Sequence, residues 1–112
     1  MRIERLTIER NREFMDFCVK NSKVIQDTSL LRECKTESFY PDCNNPTYIV
    51  IDNNDDRLVA TASLVIDDHG KSSFRIFYSE VSDAKCYELL MKAILTEDLC
   101  HLSTLDELAM ST

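Results

Sequence analysis

Thr47-Tyr48-Ile49-Val50-Ile51-Asp52, Arg57-Leu58-Val59-Ala60-Thr61-Ala62-Ser63-Leu64-Val65-Ile66 and Ser73-Phe74-Arg75-Ile76-Phe77-Tyr78-Ser79 are runs rich in β-branched and aromatic residues. The polar segments between them, 53–56 and 67–72, read as turns, so the whole stretch predicts an antiparallel meander. Side chains alternate along a strand. In the middle run this places Leu58, Ala60, Ala62, Leu64 and Ile66 on one face and the more polar Val59, Thr61, Ser63 and Val65 on the other. One face is expected to be fully covered and the other partly. Asn53 and Asn54 are expected to supply the positive φ of the first turn, and Gly70, the only glycine, that of the second.

Outward from the meander, residues 2–6 alternate Ile and Leu with Arg and Glu, as a short strand does. Thr7 is a candidate cap for a helix from about Ile8 to Asn21, with Phe14, Phe17 and Cys18 on its apolar face and Val24 and Ile25 following. Asp27 or Thr28 is placed to cap a second helix, Ser29 to Cys34, which contributes Leu30 and Leu31. The loop from Lys35 to Pro46 holds both prolines and is read as the mobile segment; Pro46 imposes an extended entry into the first run of the meander. After Ser79, a helix is expected over about Ser82 to Thr96, burying Ala84, Tyr87, Leu90, Met91, Ile94 and Leu95. Residues 97–112 carry four leucines, and Thr104 with Glu107 forms a capping-box pattern, so the tail is read as one more short helix.

The predicted fold class is therefore α+β, an α/β sandwich in the order β-α-α-β-β-β-α plus a short helical tail. A mostly antiparallel sheet of about four strands carries two helices on one face and one on the other. A chain of 112 residues makes a single domain with enough core to need neither disulfides nor metal.

The net charge is −7 and unevenly placed, with eight basic against six acidic residues in 1–35 and five against fourteen in the remainder. An acidic body of this kind repels phosphate backbones, so no nucleic-acid partner is expected. The charged start, Met1-Arg2-Ile3-Glu4-Arg5-Leu6, is unlike a signal peptide, and no apolar stretch is long enough to span a bilayer. A cytoplasmic protein with no membrane association is expected. The five cysteines form no Cys-x-x-Cys pair and read as free thiols.

The phrases Ile3-Glu4-Arg5-Leu6-Thr7, Pro46-Thr47-Tyr48-Ile49-Val50 and Leu58-Val59-Ala60-Thr61-Ala62-Ser63-Leu64, in this order of elements, resemble the N-terminal half of the GNAT family, the acetyl-CoA-dependent N-acetyltransferases. The resemblance covers residues 1–96, a lobe to which 97–112 adds a tail. It implies that a loop between the fourth strand and the next helix would hold the cofactor pyrophosphate through backbone amides, in a pattern that includes glycines. Here that loop is Ser79-Glu80-Val81-Ser82-Asp83, with no glycine and two carboxylates where phosphates would sit. The resemblance therefore implies a truncated or degenerate lobe with no catalytic residue and no cofactor of its own. The alternatives are the N-terminal part of an active enzyme, whose acetyl-CoA site and general-acid tyrosine lie in a further C-terminal part, and an unrelated interaction module.

Other constellations read as ordinary structure. Asp52, Asn54 and Asp56 match the opening of an EF-hand loop, but Arg57 and Ser63 stand where glycine and glutamate are needed. Asp67, Asp68 and His69 lie at the far end of the middle strand, so no metal site is expected. Cys100 and His101 are sequence neighbours that point apart. Tyr78 and Tyr87 are expected to pack with a polar tip. One apolar strand, Phe74-Arg75-Ile76-Phe77-Tyr78, is left as a sheet edge with Arg75 as its only charge. Closure by a second copy as a homodimer, by a partner lobe, or by the tail from Leu99 to Leu108 is expected there.

Overall fold

A four-stranded sheet in the order β1-β2-β3-β4, antiparallel throughout, organises the molecule. The computed structural model describes residues 1–96. Its elements are β1 (Arg2–Arg5), α1 (Asn11–Lys20), α2 (Thr28–Lys35), β2 (Thr47–Asp52), β3 (Arg57–Ile66), β4 (Ser72–Ser79) and a helix α3 over residues 84–96. The expected tail helix, with Cys100 and His101, lies outside the described residues.

Helices α1 and α2 cover one face, where Phe14, Phe17, Cys18, Leu30 and Cys34 meet Ile49, Ile51, Leu58 and Ile76. Helix α3 covers the other, packing Cys86, Leu90 and Ile94 on Tyr48, Val50, Ala62 and Leu64. Both faces of β3 are thus buried, where one was expected to be only partly covered. The polar side chains on the α1/α2 side are admitted by hydrogen bonds: the Thr61 hydroxyl donates to the Tyr48 carbonyl at 2.8 Å, and the Thr47 and Ser63 hydroxyls lie 2.7 Å apart.

Two bulges change the faces read by simple alternation. Ile51 pairs with Leu58 and Val50 with Ala60, so Val59 is the extra residue. Leu58 consequently packs with α1 and α2, on the face opposite Ala60, Ala62 and Leu64. In the second bulge Ser63 faces Ile76 and Leu64 faces Phe74, making Arg75 the extra residue of β4.

One of the two expected helix caps is made and the other is not. A 3-10 turn, Ile8–Arg10, precedes α1, and Thr7 makes no side-chain cap to it. A second 3-10 turn, Ser22–Val24, follows α1 and leaves Val24 exposed while Ile25 enters the core. Asp27, rather than Thr28, caps α2, accepting from the Leu30 N–H at 3.0 Å. On α3, Met91 and Leu95 are exposed, and the small Cys86 and Ala93 join Leu89, Leu90 and Ile94 against the sheet. The buried stripe is rotated from the one drawn through the largest side chains.

The segment from Thr36 to Pro46 is anchored rather than loose. Phe39 is buried with its ring centroid 4.8 Å from that of Phe14, and Asn11 Nδ2 donates to the Phe39 carbonyl at 2.9 Å. The carbonyls of Asn44 and Pro46 accept from Ile66 and Leu64, so this stretch extends β2 along the far half of β3. In the first turn of the meander Asp56 takes the positive φ, at 52°, while Asp52 accepts from the Asn54 N–H. Gly70 has φ 78°, in a turn closed by Asp67 through the amides of His69 and Lys71.

Candidate functional site

The two edges of the sheet are chemically unlike. Edge β1 carries Arg2, Glu4 and Arg5, and Arg2 reaches across to Asn53 and Asp56. Charges of this kind discourage a further strand from adding. Edge β4 has one charged residue, Arg75, and the bulge turns it inward to the α1/α2 side.

There the guanidinium is nearly sealed from solvent. Its Nε donates to Asp27 at 2.8 Å, one terminal nitrogen to Asn45 Oδ1 at 3.0 Å and the other to Glu33. Burial of Arg75 opposes its charge, but the bonds to Asp27 and Glu33 outweigh that and raise its pKa. Partial burial likewise opposes ionisation of Asp27. The Arg75 and Leu30 hydrogen bonds prevail and hold its carboxyl below the usual carboxylate value. One charged fork thereby ties β4 to the start and the middle of α2 and to the entry of β2. Sequence order gave no signal for this set, because the partners lie 30 to 48 residues from Arg75.

With Arg75 withdrawn, the opposite side of β4 presents aromatics. Phe74 is half-exposed, and its ring lies 5.0 Å from that of Phe77, which lies 5.4 Å from that of Tyr87. On the α1/α2 side Ile76 is buried and Tyr78 packs on Phe17 at 6.3 Å. Leu64 and Ile66 give their N–H groups to Pro46 and Asn44, and Glu80 donates to Val59. Ladder alternation then turns the backbone groups of Phe74, Phe77 and Ser79 away from β3. The Tyr87 hydroxyl accepts from the Ser79 N–H at 3.1 Å, while the N–H groups of Phe74 and Phe77 have no partner among the described residues.

The loop after β4 uses its own polar groups. The Val81 N–H donates to Ser79 Oγ, which in turn donates to the Val81 carbonyl, and the Lys85 N–H donates to Asp83 Oδ1. Glu80 is met by Asn21 at 3.0 Å, Lys20 at 3.3 Å and Arg57 at 3.4 Å. Partial burial opposes the Glu80 charge, but Asn21 and Lys20 overcome it, and its pKa is lowered. Ser79, Glu80, Val81 and Asp83 thus form a self-closed turn whose acidic side chain is tied to α1.

The acidic turn between β2 and β3, at the same end of the sheet, is likewise occupied by partners from its own chain. Asp56 accepts from Arg2 and from Arg10, each at 2.8 Å, and these bonds hold its carboxyl below the usual value. Asp67 closes its own turn. No cluster of three or more His, Cys, Asp or Glu suited to a metal ion occurs among the described residues. None of the described helices is long and apolar enough to cross a membrane. No family model, curated protein or solved structure matches this chain.

Proposed function

We propose that this chain is a non-catalytic interaction lobe, related in layer order to the N-terminal half of the GNAT acetyltransferases, that works by adding a strand to the free edge of β4. The observation that carries the reading is the inward turn of Arg75. It leaves an edge with, among the described residues, two N–H groups without a partner beside a half-exposed Phe74 and no charged side chain to repel an incoming strand.

The strand that fits is β4 of a second copy. Antiparallel pairing about a two-fold axis perpendicular to the sheet keeps each face on its own side. Phe74, Phe77 and Tyr87 of both copies then form one aromatic strip, and both Arg75 groups remain buried against their own α2. The net charge of −7 opposes this association, so added salt strengthens it. Sedimentation velocity across a concentration series is expected to show a reversible dimer, tightened by salt and weakened at least tenfold by Phe74→Lys. A monomer at every concentration and salt level would overturn the pairing.

The self-closed turn at residues 79–83 supports the absence of a cofactor site. Amides that would meet a pyrophosphate are engaged by Ser79 and Asp83, and Glu80 adds negative charge. Calorimetric titration with acetyl-CoA is expected to show no saturable heat. Micromolar binding mapped to residues 79–85 would instead favour an active enzyme completed by further chain.

A further inference from the structure

We propose that the groove between α3 and the β1–β2 side of the sheet is the docking site of the chain's own tail, residues 97–112, which seats its leucines there. The groove has a volume of about 350 Å³ and is lined by Ile3, Tyr48, Leu89, Lys92, Ala93 and Thr96. Ile3, Leu89 and Ala93 are half-buried, so that each packs on the core with one side and borders the groove with the other. Apolar walls of this kind favour an apolar occupant, with charge matched only at the rim.

Thr96, the last described residue of α3, is itself part of the wall. The chain that follows it carries Leu99, Leu102, Leu105 and Leu108. From Thr96 to Leu99 an extended chain spans about 10 Å, enough to turn back onto the groove it has just left. The groove runs back along α3 to Leu89, a rise of about 10 Å, and residues 99–108 cover that length even when wound as a helix of about 14 Å. The tether holds the tail at a local concentration in the millimolar range, an advantage that no unattached ligand has.

Charge selects this flank of α3 over the other. Lys85, Leu89, Lys92 and Thr96 follow one another at helical spacing on the groove side. Ala84, Glu88, Met91 and Leu95 do so on the side of Tyr87, whose ring meets Phe77 of β4. Arg5, opposite Tyr48 in the β1–β2 ladder, adds positive charge to the far wall of the groove. The tail holds Glu97, Asp98, Asp106 and Glu107 and neither Lys nor Arg. Its acids therefore meet lysines on the groove side and would meet Glu88 on the other. Seated here, the tail leaves β4 uncovered, so the docking is independent of the edge pairing.

Methyl nuclear Overhauser contacts in the full chain test the placement. Contacts from Leu99, Leu102 and Leu105 to Ile3, Leu89 and Ala93, unchanged on dilution, are expected. Leu102→Asp combined with Leu105→Asp is expected to abolish them and to speed amide exchange over residues 99–108 about tenfold, with β3 still protected. Lys92→Glu, at an exposed position, is expected to produce the same change to a smaller degree. Contacts from the tail to Phe74, Met91 and Leu95, contacts that arise from a second copy in mixed-label samples, or no contact between the tail and residues 1–96 would each overturn the proposal. The unmutated chain decides the matter even if a variant misfolds.

Discussion

Arg75→Met is expected to lower the unfolding free energy by about 3 kcal/mol, because it leaves Asp27 and Glu33 facing each other's charge with no cation between them. Removing one partner of a buried pair is costly chiefly through the charge that stays behind. Both carboxylates retain some contact with water, which places the effect at the lower end of the usual range. Denaturant unfolding at neutral pH measures it, and a change under about 0.5 kcal/mol would show that the fork contributes little.

The same group sets a pH dependence whose sign follows from the depressed pKa of Asp27. Its contribution is complete above the unfolded carboxylate value of about 3.9 and fades as pH falls through the lower folded value. The unmutated protein should therefore lose stability below about pH 4 more steeply than Arg75→Met does.

Phe39→Ala is expected to cost about 3 to 4 kcal/mol, with a fall in Tm of about 15 °C, although the residue lies in an irregular segment. Its ring fills the space beside Phe14, and its carbonyl accepts from a buried Asn11, so truncation opens a cavity and loosens that bond. Thermal unfolding checks it. A shift of only a degree or two would mean that the loop closes over the vacated space.

The meander was legible because its β-branched runs are long and its turns polar, and a period of two decides strands over helices at that length. The apolar spacing of the helices shows that each buries one stripe, while the face of the sheet it covers is set by the topology. What alternation could not give was the pair of bulges. An extra residue such as Val59 or Arg75 is defined by the partner strand's register, and nothing in its own run marks it.

This is why the charge of Arg75 reads as edge protection in the sequence and proves to be a buried tie in the structure. Phe39 escaped for a related reason: an isolated aromatic among polar and proline residues has no period to reveal that it is core. On α3 the largest apolar residues, Met91 and Leu95, drew the stripe, while burial follows the smaller Cys86 and Ala93 that let the helix approach the sheet.

Amide hydrogen exchange along β4, followed as protein concentration is raised, tests the edge pairing most directly. The N–H groups of Phe74 and Phe77 point away from β3 without a partner among the described residues, and in the proposed pairing a second β4 protects them. Fast exchange is expected at these two amides in dilute solution, with protection that grows with concentration, while the amides of β4 bonded to β3 stay protected throughout. Exchange at the rate of a free edge at all concentrations would contradict the pairing.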